Sequence, residues 1–253
     1  MKHYRAIFLD WDDTIGDWAG SAEQAQRFLY EQEIRPLFAA WSTAIPSFDD
    51  YLAYYRAHNI WLWEEYSAGH ITREYLHTDQ FLTPICHYLG ISSEQADEGL
   101  RQLSTRLGDE YIRLTMAASR LTEDAAEVVH YLAAKYPLTI VSNGYVEMQY
   151  HKLEQSGLKE CFRHLVFSEE VGAMKPDPRI MEVALARNQR ELPDLKASEV
   201  VMIGDSYSSD IAGAQAAGID TIWWLREGTQ ATDEQRRSAT YIISSLRDVM
   251  TIL

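Results

Sequence analysis

Short apolar runs that end abruptly in polar residues or glycine recur at the start and in the second half of the chain. The first run covers residues 6–9 and stops at Asp10. Runs of the same kind follow at residues 138–141, 164–167, 200–203 and 221–224. Helical patterns alternate with them, at residues 146–156, 178–187 and 210–217. Continuous apolar runs are typical of parallel strands buried on both faces. The alternation predicts an α/β fold, a Rossmann-like, doubly wound parallel sheet with right-handed crossovers.

The pattern changes between the first strand and the rest of the predicted sheet. Apolar residues there recur at helical spacing, as in residues 28–41 and 100–114, and strand-like runs are nearly absent. We therefore predict an all-helical cap domain of residues 16–118, with linkers near Gly16 and Ser119. Residues 1–15 and 119–253 would form the α/β catalytic core.

The charge of the chain limits its partners. Its 38 acidic and 23 basic residues give a formal net charge of -15. This charge argues against binding to a nucleic acid polymer or to an anionic membrane surface. It also means that an anionic substrate would need a local cation at its binding site. The sequence predicts no particular oligomeric state.

Cysteine content and the start of the chain indicate the compartment. Cys86 and Cys161 are far apart and lack metal-ligand spacing, so no disulfide framework is expected. The apolar stretch before Asp10 is too short for a signal peptide, and no run approaches membrane-spanning length. A cytoplasmic location is the expectation.

Polar side chains stand at the ends of several predicted strands. Asp10, Ser142 and Asp205 each follow a strand, and Lys175 lies in the loop after the third one. Ligands of open parallel sheets bind outside the carboxyl ends of the strands. A single aspartate there is most often a turn residue or a helix N-cap. Several carboxylates at one edge repel one another unless a proton or a cation intervenes, and Mg²⁺ prefers such oxygen ligands.

Four segments of the chain share an order and a setting, each at a strand–helix unit. Residues 8–14 contain an apolar strand and Asp-x-Asp-x-Thr, and residues 141–144 place a hydroxyl at a strand end. Residues 170–177 supply a lysine, and residues 203–205 supply an acid with Asp210 five positions later. In this order the segments resemble the four motifs of the haloacid dehalogenase-like hydrolases. Each is weak alone, but together they are specific and cover the whole core.

The resemblance implies a role for each residue of the first three motifs. Asp10 would be the nucleophile that attacks phosphorus and forms an aspartyl-phosphate. Asp12 would protonate the leaving oxygen and then deprotonate the hydrolytic water. Ser142 and the backbone N–H of Asn143 would donate to the phosphoryl oxygens. Lys175 would neutralise charge between the nucleophile and the phosphoryl group.

A metal site and a phosphate-binding set follow from the same resemblance. Asp10, Asp205 and the backbone carbonyl of Asp12 would hold Mg²⁺. Asp210 would be either a ligand or a neighbour that supports the ligands. Thr14 would orient Asp12 or its loop. The phosphate-binding set comprises Thr14, Asn143 and Gly144.

Asp12 and Asp13 narrow the expected reaction. The dehalogenases of the family lack an acid at the position of Asp12, because no alkoxide needs a proton there, so phosphatase or phosphomutase chemistry is favoured. Asp13 stands where glycine is usual. Asp-x-Asp-Asp-Thr, the cap segment 62–72 and residues 168–172 resemble the house-cleaning 5′-nucleotidases, which act on pyrimidine and damaged nucleoside monophosphates.

The leading hypothesis is a phosphomonoester hydrolase with a small nucleoside 5′-monophosphate as substrate. Trp61, Trp63 and Tyr66 of the cap could stack on a base, although packing between cap helices is the commoner role of such residues. Alternatives are a phosphatase for small sugar or acid phosphates such as phosphoglycolate, and a phosphomutase. A pseudo-enzyme scaffold is disfavoured, because a binding module has no need of a repulsive acid cluster.

Overall fold

The sheet is the central feature of the fold. The computed structural model describes residues 2–41 and 44–253, and these form six strands. The strands are β1 Ala6–Leu9, β2 Leu138–Ser142, β3 Phe162–Phe167, β4 Val200–Gly204, β5 Asp220–Trp224 and β6 Tyr241–Ile243. Their spatial order is β3-β2-β1-β4-β5-β6, and every neighbouring pair is parallel. The predicted doubly wound parallel sheet is confirmed.

Contacts divide the chain into two compact units, Met1–Ala19 with Ser119–Leu253, and Gly20–Ala118. The first unit keeps residues 16–19, which the sequence pattern assigned to the insertion. Two hydrogen bonds explain this: the side chain of Asp13 accepts the N–H of Ala19 at 2.8 Å, and the N–H of Asp17 donates to the carbonyl of Arg120 at 2.9 Å.

Helices are the regular secondary structure of the second unit among its described residues. Its helices are α1 Trp18–Leu29, which begins in the first unit, α2 Arg35–Ala40, α3 Phe48–Ser67, α4 Arg73–Leu89 and α5 Glu98–Ala117. Side chains of Ser47, Thr72 and Asp97 accept backbone N–H groups at the starts of α3, α4 and α5. Such caps satisfy donors that lack a partner in the first helical turn. Thr72, part of the nucleotidase-like segment, thus has a structural role.

Both faces of the sheet are covered in the first unit. Its helices are α6 Ala125–Ala133, α7 Val146–Ser156, α8 Ser168–Val171, α9 Pro178–Gln189, α10 Ala212–Ala216, α11 Asp233–Ser238 and α12 Val249–Ile252. Ile7 and Leu9 pack in one apolar cluster, and Ala6 and Phe8 pack in another. Successive side chains of a strand point to opposite faces, so β1 has to be apolar at every position. Its abrupt end at Asp10 is therefore a signal of function.

The order of the strands creates a crevice. Strands β2 and β3 lie on one side of β1 in the sheet. Strands β4, β5 and β6 lie on its other side. In open α/β sheets, ligands bind outside the carboxyl ends of the strands at such a reversal. The residues that follow β1, β2 and β4 are therefore brought to one place.

The two tryptophans of β5 are buried, whereas Trp61 of the helical unit is exposed. Trp223 and Trp224 of β5 are buried, as expected of a strand in the core. Trp61 of α3 is 44% exposed, so it does not pack in a helical core. Trp63 and Tyr66 are partly buried and contact each other edge to face.

Among the described residues, no helix is long and apolar enough to cross a membrane.

Candidate active site

A buried ion pair lies at the carboxyl end of β1. Asp10, the residue after the strand, accepts a hydrogen bond from Nζ of Lys175 at 2.5 Å. The same ammonium group donates to Asp210 at 2.6 Å and to the carbonyl of Val141 at 2.7 Å. The side chain of Lys175 is 1% exposed, and these three acceptors satisfy its three N–H donors. Lysine and nucleophile candidate are thus held rigidly together, as the motif order predicted.

Three carboxylates share one corner of this site. One oxygen from each of Asp10, Asp205 and Asp210 lies within 4.8 Å of the others. Gly204, directly before Asp205, makes this approach possible, because a Cβ at this position would lie 2.4 Å from a carboxylate oxygen of Asp210. The second oxygen of Asp210 accepts the N–H of Ser206 at 3.0 Å. The sequence predicted all three acids for the metal site, and the structure brings them together.

The electrostatics of the cluster favour an additional cation. Burial raises the pKa of Asp10 well above its usual range; Lys175 opposes this rise, and the neighbouring acids add to it. Burial and the negative charge of Asp210 raise the pKa of Asp205 to about 7. Burial lowers the pKa of Lys175, but Asp10 and Asp210 raise it by more. One ammonium faces three carboxylates, and the hard oxygen donors suit a divalent ion such as Mg²⁺.

Motif residues at the end of β2 hold the loop that carries Lys175. The side chain of Asn143 accepts the backbone N–H of Lys175 at 2.8 Å and donates to its carbonyl at 3.0 Å. This two-point contact fixes the lysine loop to β2. The hydroxyl of Ser142 accepts the N–H of Gly144 at 3.1 Å. Asn143 therefore fixes the loop of the lysine that binds Asp10, and its side chain is occupied with the lysine backbone.

Asp12 is held by a helix that the sequence did not implicate. Its two carboxylate oxygens accept separate hydrogen bonds, from Nζ of Lys152 at 2.6 Å and from Nε2 of Gln149 at 2.6 Å. Both donors come from α7. The side chain of Asp12 is therefore separate from the carboxylate cluster, and only its backbone carbonyl is left for the metal role predicted for it. The available signal in the sequence was a pair of polar residues, Gln149 and Lys152, on the buried face of α7.

Thr14 and Asp13 differ in what they contact. Thr14 was expected to orient Asp12 or its loop. Instead its buried hydroxyl donates to Asp205 at 3.3 Å and accepts the N–H of Asp205 at 3.2 Å. Asp13 has a φ of 63°, in the left-handed region that aspartate tolerates and glycine favours. Its carboxylate lies 3.3 Å from Arg226, so Asp13 stabilises the turn after β1.

Comparisons with known proteins agree with this arrangement. YfnB of Bacillus subtilis strain 168 is 31% identical over 223 residues, which cover 88% of this chain and 85% of that protein. The pyrimidine 5′-nucleotidase YjjG of Escherichia coli K12 is 30% identical over 98% of this chain and 96% of its own length. The pyrimidine 5′-nucleotidase PynA of Streptococcus pneumoniae R6 is 25% identical over 99% of this chain and 95% of its own.

A solved structure and a family model define the class. The magnesium-bound crystal structure of YfnB has a TM-score of 0.80 and 29% identity, and it covers 100% of this chain and 99% of that one. The model of the haloacid dehalogenase-like hydrolases matches residues 4–218. The chain belongs to this family of hydrolases, as its four motifs predicted, and it is an enzyme of that class.

Proposed function

We propose that this enzyme is a Mg²⁺-dependent phosphomonoester hydrolase that passes through an aspartyl-phosphate on Asp10. The observation that carries the proposal is the separation of two acids. Asp10 is buried beside Lys175 and the other acids, while Asp12 is held apart by donors from α7. Phosphate ester hydrolysis needs both a nucleophile and an acid for the leaving oxygen.

The first half-reaction transfers the phosphoryl group to the enzyme. A carboxylate oxygen of Asp10 attacks phosphorus, and a new P–O bond forms. The bond from phosphorus to the leaving oxygen breaks, its electron pair stays on that oxygen, and Asp12 supplies the proton. The ammonium of Lys175 and the donors around Ser142 stabilise charge on the phosphoryl oxygens.

The second half-reaction restores the enzyme. Asp12, now ionised, accepts a proton from a water molecule whose oxygen attacks phosphorus. The bond between phosphorus and the Asp10 oxygen breaks, and its electron pair regenerates the carboxylate. Inorganic phosphate leaves. Asp12 ends protonated again, with a proton from water in place of the one that left on the alcohol, so the acid of the first step is the base of the second.

The metal belongs with the three clustered carboxylates. Asp10, Asp205 and Asp210, with the backbone carbonyl of Asp12, would hold Mg²⁺. When bound, the ion supplies positive charge that offsets the negative charge of the carboxylates and the phosphoryl group. Thr14 contributes by fixing Asp205 through two hydrogen bonds. A globally acidic chain thereby gains the local positive charge that an anionic substrate requires.

The affinity for Mg²⁺ should rise with pH. Asp205 has a folded-state pKa of about 7, above its ordinary value. The metal-free fold therefore loses stability as pH rises from that ordinary value to about 7, because the carboxyl ionises more readily in the unfolded chain. A ligand carboxyl must also lose its proton before the metal binds. We expect a larger increase in Tm on Mg²⁺ addition at pH 8 than at pH 6.

Thermal unfolding with and without Mg²⁺ at both pH values measures this effect. Asp205→Asn is the control, because it removes this titrating ligand and should reduce the Mg²⁺-induced rise in Tm at both pH values. An equal rise in Tm at pH 6 and pH 8 for the native chain would contradict the assignment of Asp205 as a ligand.

We propose nucleoside 5′-monophosphates as the substrate class. YjjG and PynA, pyrimidine 5′-nucleotidases, align with nearly the whole chain, including the helical unit. Dehalogenase chemistry is disfavoured by Asp12, since a halide leaves without a proton. Phosphatases for sugar phosphates use the same core chemistry, so a direct comparison of the two substrate classes tests the proposal.

Nucleoside 5′-monophosphates should have a higher kcat/KM than phosphoglycolate or hexose phosphates. Trp61→Ala should raise KM for a nucleotide by about tenfold, because stacking on a base is worth about 1–3 kcal/mol. The KM for p-nitrophenyl phosphate should hardly change. Trp61 is exposed, so its removal should leave the fold intact.

Trp41→Ala is a matched control, because Trp41 is an equally exposed tryptophan of the helical unit. A steady-state comparison of a nucleotide, phosphoglycolate, a hexose phosphate and p-nitrophenyl phosphate, with the native chain and both variants, tests the prediction. If sugar phosphates are the better substrates, the nucleotidase proposal is wrong and a general phosphatase remains. If Trp61→Ala and Trp41→Ala behave alike, Trp61 does not read the base.

A further inference from the structure

We propose that Lys152 and Gln149 are positioning residues that clamp the carboxylate of Asp12 for proton transfer. This inference rests on the proposed phosphatase function. Neither residue lies in the four family motifs, which cover residues 8–14, 141–144, 170–177 and 203–210. They stand three positions apart on α7, so they project from the same face of the helix.

The clamp engages the two oxygens of Asp12 separately. Lys152 donates to one oxygen and Gln149 to the other, each at 2.6 Å. The side chain of Lys152 is 5% exposed and that of Asp12 is 27% exposed. The lysine is therefore buried, while the carboxyl group that it contacts is still reached by solvent. Two bonds to different oxygens fix the rotation of the carboxyl plane, which a single bond would leave free.

Gln149 also ties the acid to the predicted phosphate-binding strand end. Its Nε2 donates to the hydroxyl of Ser142 at 3.0 Å in addition to Asp12. Gly144 leaves the space that this requires, because a Cβ at Gly144 would lie 1.8 Å from Nε2 of Gln149. Because Gly144 has no side chain, Gln149 can reach both Ser142 and Asp12.

Lys152 is held in place from its other side. Its ammonium lies 4.1 Å from the centre of the Trp18 ring, a favourable cation–π distance. The lysine is therefore directed at Asp12 before any substrate binds. Each carboxylate oxygen has a second lone pair beyond the one used by the clamp. The clamp can orient Asp12 and still leave it free to exchange a proton.

Positioning predicts a dependence on the leaving group. Benzyl phosphate releases a strongly basic alkoxide and needs a proton from Asp12, whereas p-nitrophenyl phosphate releases a weakly basic phenolate. We expect Lys152→Met to lower kcat/KM about 100-fold for benzyl phosphate and less than about tenfold for p-nitrophenyl phosphate. Lys159→Met makes the same change of charge at an exposed site just beyond α7 and should change neither value by more than about twofold.

A second comparison separates positioning from folding. In an Asp12→Asn background, Lys152→Met should cost less than about twofold in kcat/KM, because the group it orients has already lost its function. Gln149→Met should reproduce the leaving-group dependence of Lys152→Met. If circular dichroism shows that Lys152→Met does not fold, the leaving-group dependence of kcat/KM in Gln149→Met tests the clamp instead.

Equal losses for both esters, or full additivity with Asp12→Asn, would overturn the clamp while leaving the phosphatase proposal intact. If the native chain hydrolysed neither ester in the presence of Mg²⁺, the phosphatase proposal would be overturned, and the clamp with it. The two failures are therefore distinguishable in one set of assays.

Discussion

Asp10→Asn should lower kcat for phosphate ester hydrolysis by at least about 10⁴-fold, in line with the loss of other covalent nucleophiles. The amide keeps the shape of the carboxylate but is a poor nucleophile, so no aspartyl-phosphate can form. Lys175, Asp205 and Asp210 stay in place, which limits the change to the reacting group. Retention of more than about one hundredth of the native rate would rule out Asp10 as the nucleophile.

The same variant should not be less stable than the native chain. Burial raises the pKa of Asp10, so its ionised form destabilises the fold at neutral pH, and replacing it removes that cost. Urea unfolding at pH 7.5 without metal measures the difference. Asp49→Asn, at an exposed position of α3, is the control for a simple change of charge. An unfolded Asp10→Asn protein would mean that the carboxylate is structural.

Lys175→Met should have the largest effect on stability. It removes an ammonium that contacts both Asp10 and Asp210, and the side chain is almost fully buried. Breaking a buried pair by removing one partner costs about 3–5 kcal/mol, because the other charge remains without compensation. Catalysis should also fall by at least about 10³-fold, since charge on the phosphoryl oxygens loses its fixed cation.

The stability loss of Lys175→Met should depend on pH. A lysine with a raised pKa stabilises the fold throughout neutral pH, and this contribution is lost only at alkaline pH. Without it, the pKa values of Asp10 and Asp205 rise further, so the variant should be more stable at pH 6 than at pH 8. Urea unfolding at both values tests this, with exposed Lys196→Met as the control. If the free energy of unfolding of Lys175→Met lay within about 0.5 kcal/mol of the native value at both pH values, the role of Lys175 would be contradicted.

The positions of the motif residues were predictable because topology determines them. Asp10, Ser142 and Asp205 follow apolar runs, and in a parallel sheet all such strand ends lie at one edge. Lys175 could be assigned from its loop. β6 is only three residues long and has no functional residue at its end, so its pattern fell below what periodicity detects.

Side-chain partners across the fold were not predictable in the same way. Lys152 and Gln149 are about 140 positions from Asp12 along the chain, and their contact depends on how α7 packs beside β1. Thr14 was assigned to its sequence neighbour Asp12, but the turn at Asp13 directs its hydroxyl to Asp205 instead. Local spacing predicts which residues reach the site, whereas packing decides which atoms meet.

The central claim is a phosphoryl group covalently bound to Asp10, and trapping it is the most direct measurement. The native enzyme is mixed with Mg²⁺ and a phosphate ester, quenched in acid within one turnover and digested. Peptide mass spectrometry should then find one phosphoryl group on the peptide that contains Asp10, and none in Asp10→Asn. A phosphoryl group on another residue, or steady turnover with no trapped phosphoenzyme, would contradict the account.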